Sequence, residues 1–157
     1  MKTRHLTTFE RMTIYGLLGW CLEILFTAVS DKLFNGADLK LKGYSYLWMP
    51  PIWAVGIYAC EQAYLFMRRR HIHWLLRLVP YTIICFATEF TSGWIIRWAV
   101  GDVPWHYHSK WAVDGLIRLD YAPFWALSGV GGERITRFLW RLRIHVAPAD
   151  DSDDDAR

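Results

Sequence analysis

The sequence predicts an all-α integral membrane protein with four transmembrane helices, arranged as two tandem two-helix repeats with both termini cytoplasmic. Three observations predict this class. Hydrophobic residues make up 54% of the 157 residues, with ten Trp, eight Tyr and eight Phe. Four apolar stretches are each long enough for a helix of about 20 residues, the length that crosses the hydrocarbon core. The second half of the chain also partly repeats the first.

The four predicted spans cover residues of about 9–30, 47–67, 74–98 and 121–141. Mean hydropathy is only +0.10, because every span carries polar side chains. The alternative is a compact soluble all-α protein with buried glutamates. Trp and Tyr near the ends of the stretches favour the membrane, since these side chains collect at membrane–water interfaces.

The internal repeat relates two pairs of spans. With a shift of 72 residues, Gly43, Leu47, Pro51, Trp53, Ala54, Glu61, Phe66 and Arg69 fall on Gly115, Leu119, Pro123, Trp125, Ala126, Glu133, Phe138 and Arg141. A shift of 66 places Tyr15 and Glu23 on Tyr81 and Glu89. A longer loop in the second copy accounts for the six-residue difference. Because each copy holds two spans, we expect a pseudo-twofold axis along the membrane normal.

Basic residues predict the orientation. Eleven basic residues lie on the side of the membrane where both termini are predicted: Lys2, Arg4, Arg11, Arg68, Arg69, Arg70, Arg77, Arg134, Arg137, Arg141 and Arg143. The other side has six, mixed with aspartates. By the positive-inside rule, both termini and the short loop 68–73 are cytoplasmic, and the loops 31–46 and 99–120 face outward. We expect one membrane domain over residues 1–145 and a disordered acidic tail over 146–157.

Four glutamates, Glu23, Glu61, Glu89 and Glu133, lie inside the predicted spans. A charged side chain at the bilayer centre costs roughly 2.5–3.5 kcal/mol, so we expect all four to face the bundle interior as a polar site. For Glu133 the spacing also predicts an ion pair with Arg137, and Glu61 is within reach of Arg68–Arg70.

Two interpretations of Glu23 and Glu89 remain open. Either carboxyl group is protonated and hydrogen-bonded across the pseudo-axis, or the pair forms a site for an ion, a proton or a substrate.

The two outer loops supply the other candidate residues. Prolines at 50, 51 and 123 predict helix starts, and Lys42-Gly43 and Asp114-Gly115, eight residues before Pro51 and Pro123, predict loops that fold back toward the membrane. The stretch Trp105-His106-Tyr107-His108 is the most chemically suggestive exposed segment. Two histidines do not make a metal site, so we expect an interfacial aromatic anchor and no bound metal.

Several function classes lack their signatures. The sequence has no Walker A loop, no dinucleotide-binding glycine pattern, no Gly-x-Ser-x-Gly elbow and no His-Glu-x-x-His. Basic residues follow the predicted topology and do not form a groove for nucleic acid. Cys21, Cys60 and Cys85 fall in separate spans, so neither a disulfide nor a thiolate site is expected. We assign no catalytic residue and no cofactor.

Several short motifs in order carry a family resemblance over about residues 12–130. They are Gly19-Trp20-Cys21-Leu22-Glu23, Lys42-Gly43, Pro51-Ile52-Trp53-Ala54-Val55-Gly56, Thr88-Glu89-Phe90-Thr91-Ser92-Gly93, Trp105-His106-Tyr107, and Gly115-Leu116-Ile117 followed by Trp125. The chain thereby resembles the small membrane proteins called CmpB-like or putative ABC-transporter type IV, relatives of animal transmembrane protein 229. The family usually has Arg-Gly at Lys42-Gly43 and Trp-Asp-Tyr at Trp105-His106-Tyr107.

The resemblance implies a multi-pass cell-membrane protein of permease type that moves or binds a small solute or lipid at a polar site between the repeats. Four spans are few for a solute pathway, so the expected partners are a second copy, a separate ATPase or another membrane subunit, besides the bilayer. An intramembrane enzyme for a lipid or isoprenoid substrate and an accessory subunit of a membrane complex are the alternatives.

Overall fold

A computed structural model describes residues 2–36 and 39–146. Four helices form its body: α1 Thr8–Asn35, α2 Met49–Arg69, α3 Trp74–Val100 and α4 Ala122–Leu139. They cover the four stretches that the sequence predicts as helices. The predicted acidic tail, apart from Val146, lies outside the described residues.

Local sequence signals set the helix boundaries. α1 begins with a capping box, in which Thr7 N donates to Glu10 Oε2 over 2.8 Å and Glu10 N donates to Thr7 Oγ1 over 3.3 Å. Prolines stand in the first turns of α2 and α4, as predicted from their fixed φ. α3 ends at Gly101, whose φ of 87° suits a residue without a Cβ.

The helices pack in sequence order as two antiparallel pairs. α1 packs on α2 and α3 packs on α4, while α2 also contacts both α3 and α4. The pairs approach closely where a glycine faces a large side chain. A Cβ at Gly19 would overlap the Trp53 ring, and one at Gly129 would overlap Tyr81. Each repeat therefore packs its two helices through a glycine of one of them.

Two short antiparallel ribbons, absent from the sequence-based expectation, complete the described fold. β1 Lys2–His5 pairs with β4 Arg143–Val146, with Lys2 opposite Val146 and His5 opposite Arg143. β2 Ala112–Val113 pairs with β3 Ile117–Arg118 in the loop before α4. We call the end of the bundle with β1 and β4 the terminal end, and the end with the two long connections the loop end.

Both long connections fold back onto the helices, as the sequence predicts. Near Gly43, the backbone of Tyr44 exchanges two hydrogen bonds with Thr27 Oγ1 on α1, of 3.0 and 2.9 Å. In the second connection, Leu116 at the tip of the β2–β3 hairpin is fully buried against Gly93 of α3.

One helical segment of the described chain, Thr8–Ser30, is long and apolar enough to cross a membrane by length and composition. The other three helices lie where spans are predicted but are interrupted by glutamate, arginine, tryptophan and tyrosine. The fold thus confirms four helices, whereas four membrane crossings and the side of the membrane on which the termini lie stay predictions.

Candidate functional site

At the terminal end, an arginine and a tyrosine of α1 hold a glutamate of α2. Arg11 donates to both carboxylate oxygens of Glu61, over 2.9 and 3.3 Å. Tyr15 Oη donates to Glu61 Oε2 over 2.5 Å and lies 2.9 Å from Thr136 Oγ1 on α4. Glu61 is only 2% exposed. This group therefore neutralises a buried charge and joins three helices.

The second repeat builds the same group from equivalent positions. Arg77 Nη1 donates to both oxygens of Glu133, over 3.0 and 3.2 Å, and Tyr81 Oη donates to Glu133 Oε2 over 2.8 Å. We call the sets Arg11–Tyr15–Glu61 and Arg77–Tyr81–Glu133 the two inner triads. A shift of 66 relates the first two members, and a shift of 72 relates the glutamates.

The inner triads correct two predictions made from the sequence. Glu133 pairs with Arg77 of the neighbouring helix and not with Arg137, four residues along its own helix. Glu61 likewise pairs with Arg11 and not with the arginines at 68–70. The physical reason is direction: both glutamates point toward the partner helix of their repeat, whereas Arg137 is exposed on the outside of α4.

At the loop end, Glu23 of α1 is held by two neutral donors. Ser45 Oγ donates to Glu23 Oε1 over 2.9 Å, and Trp53 Nε1 donates to Glu23 Oε2 over 2.8 Å. Ser45 lies on the connection that folds back against α1, and Trp53 lies in the first turns of α2. Each oxygen of Glu23 therefore has one donor from the same repeat.

Glu89, the equivalent residue of α3, is held less completely. Tyr107 Oη donates to Glu89 Oε1 over 2.7 Å. The indole of Trp125, the counterpart of Trp53, lies near Glu89. However, Glu89 Oε2 and Trp125 Nε1 are both buried without a hydrogen-bond partner, as is Trp20 Nε1. Trp125 therefore lies beside Glu89 as Trp53 lies beside Glu23, but outside the geometry of a hydrogen bond.

The two loop-end glutamates interact electrostatically across the two repeats. Glu23 and Glu89 are close enough for their charges to interact, and the rings of Trp53 and Trp125 lie 5.7 Å apart between the repeats. Within residues 2–36 and 39–146, neither glutamate pairs with an arginine or lysine. Among the described residues no hydrogen bond joins the two carboxyl groups directly, so the structure does not show the first of the two interpretations, a hydrogen bond across the pseudo-axis. A pair of this kind attracts positive charge and hydrogen-bond donors.

The second connection places Tyr107 at this site. Trp105 is buried and its Nε1 donates to Leu116 O over 3.0 Å, while Tyr107 N donates to Gly115 O over 2.9 Å. Burial raises the pKa of Tyr107, so its hydroxyl stays a neutral donor to Glu89. Trp105 therefore supports the hairpin, and Tyr107 connects the hairpin to the site.

The remaining loop candidates lie outside the site. Lys42, His106 and His108 are exposed, and the two imidazole rings stand 5.5 Å apart. Asp114 pairs with Arg97, which lowers the pKa of that carboxyl group. In the part of the chain that the structure describes, no group of three His, Cys, Asp or Glu side chains could hold a metal ion.

Sequence reasoning missed the basic partners and the indole donors. Arg11 and Arg77 are related by the same 66-residue shift as Tyr15 and Tyr81, so the repeat already indicated that the two arginines are equivalent members of the inner triads. The shift of 72 that relates Trp53 to Trp125 likewise marked them as equivalent. Their role as carboxylate donors depends on the close packing of α1 on α2 and of α3 on α4.

Comparison with known protein families gives a match. The family model described as a putative ABC-transporter type IV matches residues 11–148, which include all four helices and both glutamate pairs. No solved structure matches the chain.

Proposed function

The chain belongs to the putative ABC-transporter type IV family, and from that premise we propose that it is a multi-pass membrane protein that works as a permease-like transport component. In this proposal a small solute or a lipid headgroup binds between the repeats, at Glu23 and Glu89. All four helices cross the bilayer, and the terminal end faces the cytoplasm.

Exposed apolar side chains support the membrane placement. Only 22% of the apolar window in Thr8–Ser30 is buried, which favours a helix covered by lipid over the mostly buried core helix of a soluble protein. Large hydrophobic side chains are also exposed along α2, α3 and α4, among them Val55, Phe66, Ile83, Ile95, Leu127 and Phe138. A soluble protein rarely leaves so much apolar surface in water. Lipid covering this surface accounts for it.

The observation that carries the proposal is the uncompensated pair of carboxylates between the repeats. Two carboxyl groups without a cation are costly in an apolar bundle, unless a proton or another positive group joins them. Trp125 Nε1 and Glu89 Oε2 can offer such a ligand one donor and one acceptor. The expected ligand therefore carries positive charge or several hydrogen-bond donors.

Movement of the loop-end hairpin would open this site. Tyr107 connects Glu89 to the hairpin, and the Arg97–Asp114 ion pair connects the hairpin to the end of α3. Displacing the hairpin would free one oxygen of Glu89 and let a ligand enter from the loop end. If ATP drives the movement, another chain must bind it, because the sequence has no Walker A loop.

The test compares three purified forms of the protein: wild type, Glu23→Gln/Glu89→Gln, and Asp102→Asn as a control in an exposed loop. Each is solubilised in mild detergent, and both co-purifying proteins and retained small molecules are identified by mass spectrometry. We expect wild type and the control to retain the same ligand or transport partner. The double variant should lose the ligand while eluting at the same size.

Two outcomes would contradict the permease-like function. Identical small-molecule content in wild type and the double variant would show that Glu23 and Glu89 do not form a ligand site between the repeats. A wild-type protein that stays in solution without detergent would contradict the proposal that the helices cross the bilayer.

A second candidate is an accessory subunit whose glutamates only hold helices together. The inner triads favour it, because Glu61 and Glu133 already have this role and leave no open oxygen for a ligand. Full activity of the surrounding complex with Glu23→Gln/Glu89→Gln would favour this candidate over the permease-like one.

A further inference from the structure

We propose that a groove on α4 at the terminal end binds the phosphate of an anionic phospholipid. Arg134, Arg137, Phe138 and Arg141 line this groove, which is shallow and open to the surroundings and has a volume of about 260 Å³. The proposal rests on the membrane placement described above, but not on the site at Glu23 and Glu89.

The groove lies where α4 ends. Arg134 and Arg137 are about one helical turn apart on the same face of α4, and Arg141 follows in the turn after Leu139 and completes the lining. Arg134, Arg137 and Arg141 are all exposed, and Phe138 is 62% exposed beside them. Three guanidinium groups and one apolar ring therefore share one outward surface.

Within residues 2–36 and 39–146, the three guanidinium groups have no anionic partner. Among the described residues, none of the three makes an ion pair with a carboxylate. Other arginines at the same end do: Arg4 pairs with Glu10, Arg11 with Glu61 and Arg77 with Glu133. Three like charges around one groove repel each other, so an anion in the groove would stabilise them.

An anionic phospholipid is the anion that fits this place. Guanidinium groups recognise phosphate oxygens through paired N–H donors. The groove lies where α4 ends, near the boundary between apolar helix surface and water. Phe138 extends the groove with an apolar surface suited to the start of an acyl chain. Lipid phosphates are concentrated at this boundary, and an inner leaflet rich in anionic lipid attracts basic side chains.

The test measures lipid preference by flotation. The full chain is reconstituted into vesicles of phosphatidylcholine alone, or of phosphatidylcholine with phosphatidylglycerol, and re-extracted protein is analysed for bound lipid by native mass spectrometry. Arg134→Gln/Arg137→Gln/Arg141→Gln is compared with the matched loop control Arg68→Gln/Arg69→Gln/Arg70→Gln, which removes three charges where α2 ends and the loop to α3 begins, at the same end of the bundle. An Arg→Lys triple variant of the groove checks folding, because it keeps the charge.

We expect wild type and the loop control to retain phosphatidylglycerol in preference to phosphatidylcholine. Each groove arginine should contribute roughly five-fold to retention, so the triple Gln variant should lose on the order of 100-fold. The Lys variant should keep most of the preference. Inorganic phosphate at millimolar concentration should not displace the lipid.

Other results would overturn the proposal. Equal retention by wild type and the triple Gln variant would show that the groove does not bind the lipid, and an acidic protein segment would then be the ligand to test. Equal loss in the loop control would mean that only total charge matters, and displacement by inorganic phosphate would identify a free anion as the ligand. If wild type floated with both vesicles and showed no lipid preference, only the lipid site would fail. If it floated with neither, the membrane placement would fail as well.

Discussion

The molecule has two pairs of repeat-related glutamates, and the two pairs differ in their hydrogen-bond partners. At the terminal end, Glu61 and Glu133 each accept hydrogen bonds from an arginine and a tyrosine. At the loop end, Glu23 and Glu89 accept only from neutral donors. The residue type is the same, and only the partners differ.

In the proposed function, this difference separates a structural role from a binding role. A buried carboxylate needs compensation for the hydration it loses, and the inner triads supply it within the protein. The loop-end pair lacks such a charge among the described side chains, so a proton or a ligand has to supply it. Duplication produced two pairs of equivalent positions, and the pairs differ in whether an arginine of a neighbouring helix reaches the carboxylate.

The largest expected effect comes from breaking an inner triad. Arg11→Leu should lower the free energy of unfolding by about 3–5 kcal/mol, because it leaves the charge of Glu61 buried without a partner. Arg77→Leu should cost less, since the side chain of Glu133 is 12% exposed against 1% for Glu61. Denaturant unfolding in detergent measures both. If Arg11→Leu costs no more than the exposed control Arg69→Leu, the triads do not carry stability.

A smaller effect should follow from separating α3 and α4. Gly129→Ala places a Cβ where the Tyr81 side chain lies and should cost about 1–3 kcal/mol through overpacking, loosening the second inner triad. Gly131→Ala is the control on the same helix, because no atom lies within 4 Å of its added Cβ. That variant should gain up to about 1 kcal/mol from helix propensity. Equal melting temperatures for the two variants would contradict the close packing.

Changes at the loop-end glutamates should affect stability less and ligand binding more. Glu89→Gln should keep the free energy of unfolding within about 1 kcal/mol, because the amide still accepts from Tyr107 and no charge is stranded. Tyr107→Phe should cost about 1 kcal/mol by removing that hydrogen bond. Thermal melting and membrane insertion are the measurements. Failure of Glu89→Gln to insert, where wild type inserts, would show that Glu89 is structural, like Glu61.

The smallest effect should appear in acid, at the loop-end hairpin. Arg97 lowers the pKa of Asp114, so this ion pair adds stability above the usual aspartate pKa of about 3.9 and loses it as the pH falls through the lower folded value. The effect is small because the pair is exposed. Melting temperatures at pH 7 and pH 3 should differ less in Asp114→Asn than in wild type. An unchanged difference would mean that the pair does not hold the hairpin.

The repeat predicted more of the fold than hydropathy did. Its glycines and prolines located the starts of α2 and α4 and the return of both loops, because these residues act through local backbone geometry. Partners across helices were harder to predict. The pairing of Arg77 with Glu133 depends on how far α3 is rotated toward α4, which the sequence near Glu133 does not contain. A local rule instead suggested Arg137, which points away.

The candidate site was only half predictable for a similar reason. Glu23 and Glu89 were evident, since a carboxylate inside an apolar stretch needs an explanation. Their difference was not, because it arises in the connections: Ser45 reaches Glu23 from one loop, and Tyr107 reaches Glu89 from the other. The β1–β4 ribbon was also missed, since two short strands separated by about 140 residues carry no local pairing signal.

The β1–β4 ribbon joins the strand before α1 to the strand after α4. Translation produces β1 before any helix, but its pairing strand, residues 143–146, appears only after all four helices. Until then the backbone edge of β1 stays open, and such edges invite foreign strands. Closing the ribbon therefore depends on the residues after α4: a variant cut back before residue 143 leaves the backbone edge of β1 without its partner strand.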